Sequence, residues 1–367
     1  MNEVIKLLID LVRIPSPLGE ELEIANFTAE WLEKKGFEVK FQYLEKNRPN
    51  VIALLKGKYD EVKVILCGHL DTFSINNEKP KIFIKNGYLY GRGAADMKAG
   101  IASMMYALYL VSKERPTYSA ILALTVDEEG KGKGSEILAK EIKGEKAIVG
   151  EPTELTISPI QSGLLELSIK VMGKRKHITL PEKGLNAFNE ALRILNYIKG
   201  IHLLKDHGEL NYMTPTLEVG YVECGDNPWS IPNYCELHLV MSLLPWQDPD
   251  VIFDEISKNI INVVDEECTI TLTMVDDDEG FWLANWKDYF HNLVSAIKEE
   301  LGSVKVTYMR SWCDANNLYH KGGIPTIVFG PGSLEDAHIE NEKVSLEEVI
   351  KATKIYYKFL KKELMCS

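Results

Sequence analysis

The chain has no block of basic residues, no CxxC pair and no apolar run near the length of a membrane span. Lysine and arginine number 42 against 54 acidic residues, a net charge of −12. A surface of that sign cannot release phosphate counterions, which excludes nucleic acid and an anionic membrane as partners. The six cysteines (Cys67, Cys224, Cys235, Cys268, Cys313, Cys366) show no framework spacing, and are read as the thiols of a reduced, cytoplasmic protein. The apolar start Val4–Val12 looks like a secretion signal until Lys6, Asp10 and Arg13 are placed on it. Their helical spacing makes it an amphipathic helix instead. Internal repeats and low-complexity tracts are also missing.

What is present alternates. Strand, helix, strand, helix over the first part of the chain, with near-continuous apolar strands, predicts a mostly parallel sheet covered on both faces. The strand through Val62–Leu66 ends in Gly68-His69-Leu70-Asp71-Thr72, and Ala120–Val126 ends in Asp127-Glu128-Glu129-Gly130. Lys146–Val149 ends in Gly150-Glu151-Pro152-Thr153, and Thr326–Phe329 leads through Gly330-Pro331-Gly332 to His338. Between them, Gly91-Arg92-Gly93 precedes Asp96 and a helix whose Ile101, Met104, Met105 and Leu108 are expected to be buried on one side.

From about Ser158 the texture changes to alternating strands around two helices, Asn186–Ile198 and Val251–Val264. The expectation is an inserted α+β domain with a four-stranded sheet. The acidic run Asp276-Asp277-Asp278-Glu279 reads as its solvated exit linker. The first texture then returns, with a helix over Tyr289–Glu300, strands at Lys305–Tyr308 and Thr326–Phe329, and a last amphipathic helix from Leu346. The expected fold class is therefore α/β, with residues 1–157 and 279–367 forming one domain and residues 158–278 inserted into it.

In α/β sheets, ligands collect at the carboxyl ends of strands. His69, Asp71, Glu128, Glu129, Glu151 and His338 all fall there. Two residues apart on an extended chain, His69 and Asp71 share a face, as a ligand and its orienting partner do. Asp96 stands where a dinucleotide-binding loop would need its third glycine, which argues against pyrophosphate. A carboxylate there can instead bridge two cations. Adjacent Glu128 and Glu129 point different ways, so one can bind metal while the other handles protons. Two imidazoles with several carboxylates suit Zn²⁺, with Co²⁺ or Mn²⁺ tolerated. Cys67 is read as core.

Gly-His-Leu-Asp-Thr, Gly-Arg-Gly-x-x-Asp-Met-Lys-x-Gly, Asp-Glu-Glu, Gly-Glu-Pro-Thr and the late Gly-Pro-Gly…His together resemble the dinuclear-zinc aminoacylase and carboxypeptidase family, of the acetylornithine deacetylase and succinyl-diaminopimelate desuccinylase kind. The similarity runs from Pro15 to about Val344. It implies two zinc ions per chain bridged by Asp96, one held with His69 and Glu151, the other with Glu129 and His338. It also implies Asp71 orienting His69 and Glu128 as general base. The segment Gly173-Lys174-Arg175-Lys176-His177 resembles the family's lid signature, so the inserted domain would be a lid and dimerisation domain. His177 would then stabilise the oxyanion, in the active site of a homodimer partner. The implied reaction removes an acyl group, acetyl by expectation, from an N-acyl amino acid such as acetylornithine or acetyl-lysine. A dipeptidase or carboxypeptidase acting on short peptides is the alternative with the same chemistry, and a catalytically silent binding protein the alternative without it.

The chain departs from the resemblance at Val240-Met241-Ser242, at Trp229 and at Ser311-Trp312-Cys313. These segments put the usual carboxylate recognition in question. Arg310, Asp314 and Gly332 are the candidate substrate contacts, Arg310 because a guanidinium binds a carboxylate bidentately.

Overall fold

Val62–His69 is buried on both faces from Val64 onward, as a central strand of a covered sheet must be. The computed structural model describes residues 2–74, 81–201 and 213–365. In chain order it contains α1 (Asn2–Arg13), α2 (Leu22–Lys34), β1 (Glu38–Glu45), β2 (Arg48–Leu55), β3 (Val62–His69), β4 (Phe83–Lys85), β5 (Tyr88–Tyr90), α3 (Ala99–Ser112), β6 (Ser119–Thr125), α4 (Lys133–Glu141) and β7 (Ala147–Val149). There follow β8 (Ile160–Gln161), β9 (Gly163–Met172), α5 (Ala187–Gly200), β10 (Thr216–Cys224), β11 (Tyr234–Leu243), α6 (Pro249–Asn259), β12 (Thr269–Asp278) and β13 (Phe281–Trp282). The chain ends in α7 (Trp286–Leu301), α8 (Ala315–His320), β14 (Thr326–Val328), β15 (Lys343–Ser345) and α9 (Leu346–Leu364). No described helix is long and apolar enough to cross a membrane.

The chain forms two compact units, one of residues 1–160, 283–309 and 313–367, the other of residues 161–282 and 310–312. The larger holds a six-stranded sheet in the order β1-β2-β6-β3-β7-β14. Strands β6, β3, β7 and β14 are parallel, while β1 and β2 close one edge antiparallel. The mixed α/β fold anticipated for this part is the one observed, and all four parallel strands deliver their carboxyl ends to one edge. Helix α3 is buried all round, not on one side, because it packs against α1 and α9 as well as the sheet. Its approach is close: a Cβ on Gly100 would lie 2.0 Å from the Gly150 carbonyl oxygen, so only glycine fits.

The smaller unit is an antiparallel sheet in the order β10-β11-β9-β12. Alternate residues Leu165, Leu167, Ile169 and Val171 of β9 join Leu237, Leu239 and Met241 of β11 in a core with α5 and α6. Asn186 and Asp248 cap those helices with their side chains.

Three local expectations need correction. Asp276–Asp278 is not linker but the end of β12, paired with Glu166, Leu165 and Leu164. The ladder to β9 continues past the last apolar residue, and backbone pairing does not consult side-chain charge. Lys305–Tyr308 is extended but makes only a single bridge, Val306 to Ile157, so its backbone never joins the sheet. Cys224 and Cys235 face each other across β10 and β11 and are disulfide-bonded, so the all-thiol expectation does not hold for this pair. Direct cross-strand partners bring their Cβ atoms within bonding reach at any sequence separation. Cys67, Cys268 and Cys313 are not disulfide-bonded, and Cys366 lies outside the described residues.

Candidate metal centre

Four strand ends and one loop bring the acidic and imidazole side chains together in the larger unit. His69 ends β3, Glu128 and Glu129 follow β6, Glu151 follows β7, and the segment after β14 carries His338. Asp96 comes from the turn before α3. There Gly93 takes a left-handed φ of +74°, and a Cβ on it would come within 2.6 Å of Thr72. The Asp96–Met97 peptide is cis.

Asp96 stands between the two histidines. One carboxylate oxygen lies 3.0 Å from Nε2 of His69, and the other 3.4 Å from Nε2 of His338. On the His69 side, Nε2 is 3.8 Å from a Glu151 oxygen and 3.9 Å from a Glu128 oxygen. On the other side, His338 lies 3.0 Å from Glu129, whose same oxygen accepts from the Phe73 amide. Phe73 stacks on the His338 ring with centroids 4.3 Å apart. Among the described residues, two sets of three side chains, His69–Glu128–Glu151 and His69–Asp96–Glu129, have ligand atoms close enough to surround an ion.

Asp71 behaves differently from the expectation that its carboxylate orients His69. The imidazole Nδ1 bonds the Asp71 backbone carbonyl at 2.9 Å, while the carboxylate stays 3.8 Å away. One carboxylate oxygen accepts instead from the Glu129 amide at 2.8 Å. The extended geometry past His69 turns the carbonyl, not the side chain, onto the ring.

Charge describes what the cluster lacks. Burial pushes the carboxyls of Glu128 and Glu151 well above the ordinary range, and Asp71 up to about 7. Burial opposes charge on Asp96 as well, but hydrogen bonds from His338 and His69 outweigh it and hold its pKa low. Burial likewise opposes charging His338, yet bonds to Asp96 and Glu129 lift it to about 10. Packed this tightly, the carboxyls outnumber the imidazoles and resist ionising together. A Glu151 oxygen and an Asp71 oxygen are buried with no hydrogen-bond partner. Orphaned carboxylate oxygens among imidazoles fit divalent cations, since each ion supplies the missing positive charge and takes the free lone pairs.

Two of the remaining expected site residues border the cluster: Asp314 acts on Glu128 and Glu151 through its charge, and a Cβ on Gly332 would lie 3.5 Å from Ala95, the neighbour of Asp96. Asp314 is fully buried, with one oxygen accepting from the Thr125 hydroxyl and the other unpartnered. The Gly332 amide donates to Glu348 at 2.9 Å. Arg310 and His177 belong to the smaller unit. The Arg310 carbonyl accepts from Ser242, and the exposed His177 bonds the Thr179 hydroxyl through Nδ1 at 2.8 Å. Trp229 is exposed, and the indole N–H of Trp312 is buried without a partner.

Some residues that shape the site were not foreseen. Arg48 grips Glu21 through Nε and a terminal nitrogen and reaches Asp127 at 2.8 Å. Asn50, two residues along β2 and on the same face, accepts from the Val126 amide and donates to the Gly134 carbonyl. Together they hold both ends of the loop that presents Glu128 and Glu129. Their only sequence signal was polar residues on an otherwise apolar strand.

Residues 65–362 match the family described as Peptidase family M20/M25/M40. The chain belongs to this family. Its members that resemble the chain act on amide bonds as metallohydrolases, and the chain is a hydrolase of that class. Acetylornithine deacetylase of Vibrio cholerae is 28% identical over 363 residues, 94% of this chain and 92% of that protein. N-formyl-4-amino-5-aminomethyl-2-methylpyrimidine deformylase of Halalkalibacterium halodurans is 24% identical, over 98% of this chain and 94% of that one. Among solved structures, a tripeptidase of Staphylococcus aureus superposes with a TM-score of 0.82 at 20% identity, over 98% of both chains. A dinuclear metal-binding peptidase of Bacillus subtilis gives 0.69 at 15% identity, over 99% of this chain and 98% of its own. The structural likenesses concern the fold.

Proposed function

We propose that this hydrolase uses two divalent cations to remove an acyl group from an N-acyl amino acid, acetylornithine and acetyl-lysine being the leading candidates. The observation that carries the reading is Asp96, whose two carboxylate oxygens face one histidine each. His69 and Glu151 would complete one cation site, Glu129 and His338 the other. Zinc suits this donor set best, with Co²⁺ or Mn²⁺ as substitutes. When bound, the cations supply Lewis acidity toward the amide carbonyl and lower the pKa of water.

The protein's own contribution is proton handling and placement. Glu128 sits among the ligands but is the one assigned no ion, and its buried carboxyl favours carrying a proton. It would take the proton from the attacking water and return it to the nitrogen of the departing amine. Asp71 fixes the imidazole of His69 through its carbonyl and the turn of Glu129 through its carboxylate. His177 is proposed to neutralise the developing oxyanion from the second chain of a homodimer formed through the inserted unit, in a cytoplasmic enzyme.

The likeness to acetylornithine deacetylase over most of both chains supports the deacylase form. A peptidase differs only in the leaving amine. The test is kcat/KM on metal-loaded protein for acetylornithine, acetyl-lysine, N-formyl and N-succinyl amino acids, and dipeptides. The proposal expects an N-acyl amino acid to lead the panel. A dipeptide leading by tenfold or more would transfer the assignment to a peptidase, and no turnover of any amide would leave a binding protein.

A further inference from the structure

Glu342 is a buried carboxylate four residues beyond His338, 3% exposed, and its bonds run to the turn that carries Asp96. One oxygen accepts from the Ala95 and Asp96 amides at 2.9 and 3.1 Å. The other accepts from the Gly93 amide at 2.9 Å and from the Arg92 guanidinium at 2.8 Å. Its own carbonyl accepts from the Gly91 amide at 3.0 Å, and Arg92 also donates to the Ile339 carbonyl at 3.0 Å. Every partner is a donor, so the site accepts a carboxylate and nothing that itself carries an N–H.

From this geometry we propose that Glu342 is a positioning residue for the metal centre. It ties the Asp96 turn to the His338 segment, and so sets the separation between the shared carboxylate and the second histidine. The two glycines leave this turn's backbone free, and within the turn only the bonds from the Ala94 amide to the Gly91 carbonyl and from the Lys98 amide to the Gly93 carbonyl restrain it. Three amides converging on one carboxylate remove that freedom before any ion arrives. Glu342 touches neither reacting atoms nor metal. Its effect passes through Asp96, which faces both histidines, so losing it weakens both cation sites together. This inference rests on the reading of Asp96 as a shared ligand.

Glu342→Gln keeps size and shape but turns an N–H toward these donors. The experiment is calorimetric titration of metal-stripped protein with Zn²⁺, alongside the visible absorption of the Co²⁺-loaded form. Wild type is expected to take two ions, and the variant to bind both about 10- to 100-fold more weakly, with an altered Co²⁺ spectrum. Glu348→Gln, in a carboxylate that bonds the Gly332 amide instead, is expected to leave affinity and spectrum unchanged. Two ions bound by Glu342→Gln with wild-type affinity and spectrum would overturn the inference. A wild type that binds no second ion would overturn the dinuclear reading instead. Should Glu342→Gln not fold, hydrogen exchange of the metal-free wild type decides. Slow exchange of the Gly93, Ala95 and Asp96 amides is expected, and exchange as fast as in an open loop would refute the role.

Discussion

At the scale of single residues, the account separates Glu128 from its neighbours by role, although all lie within a few ångströms. Glu128→Ala is expected to lower kcat by about 10²- to 10⁴-fold while metal analysis still finds two ions per chain. Activity near wild type would remove it from the mechanism. Arg48 makes a stability prediction. Glu21 and Asp127 are both buried and both bond its guanidinium, so Arg48→Met takes the one cation from two carboxylates and leaves them backbone amides. Denaturant unfolding should register a loss of about 3–5 kcal/mol. The ligand-type residues were legible in the sequence because chemistry restricts them: histidines and carboxylates at strand ends are few, and each had a reason to be there. Arg48, Asn50 and Glu342 were not, because they act on backbone amides or on other carboxylates, and the partners of such bonds are known only once the chain is folded. Asp71 shows the same limit, since its right position hid that the carbonyl, not the carboxylate, meets His69.

Elements were easier to read where burial on both faces left no ambiguity. β3, β6 and β7 are short apolar runs bounded by turns, and their order along the chain implies a parallel sheet with its ligands on one edge. Failures came where pairing or packing overrode the local pattern. β12 runs on into Asp276–Asp278 because β9 offers it partners, and the Lys305–Tyr308 stretch stays outside the sheet because its one bridge is to Ile157. α3 reads as one-sided from its large residues, yet its alanines and glycine are buried too. That packing yields a prediction at this scale. Gly100→Ala must push α3 away from the Gly150 carbonyl, at a cost of about 1–3 kcal/mol. The shift falls beside Glu151, so metal affinity should fall in the same variant. Unfolding and Zn²⁺ titration check the two effects, and unchanged values in both would show that the close approach is not a constraint.

For the whole molecule, the proposed trans action of His177 is testable without any view of the assembly. If each site uses Glu128 of one chain and His177 of the other, mixing inactive Glu128→Ala with inactive His177→Ala should restore activity. Each mixed dimer would hold one site with both residues intact and one with neither. Mixtures as inactive as their components would place His177 in its own chain's chemistry or outside it.

The account depends most on convergence, on residues from His69 to His338 surrounding two ions with Glu128 left free. Anomalous diffraction at the zinc edge from crystals of the zinc-loaded protein measures this directly. The account predicts two peaks per chain, one within bonding distance of His69, Asp96 and Glu151 and the other of Asp96, Glu129 and His338. A single peak, or Glu128 bonded to either ion in place of those ligands, would contradict it.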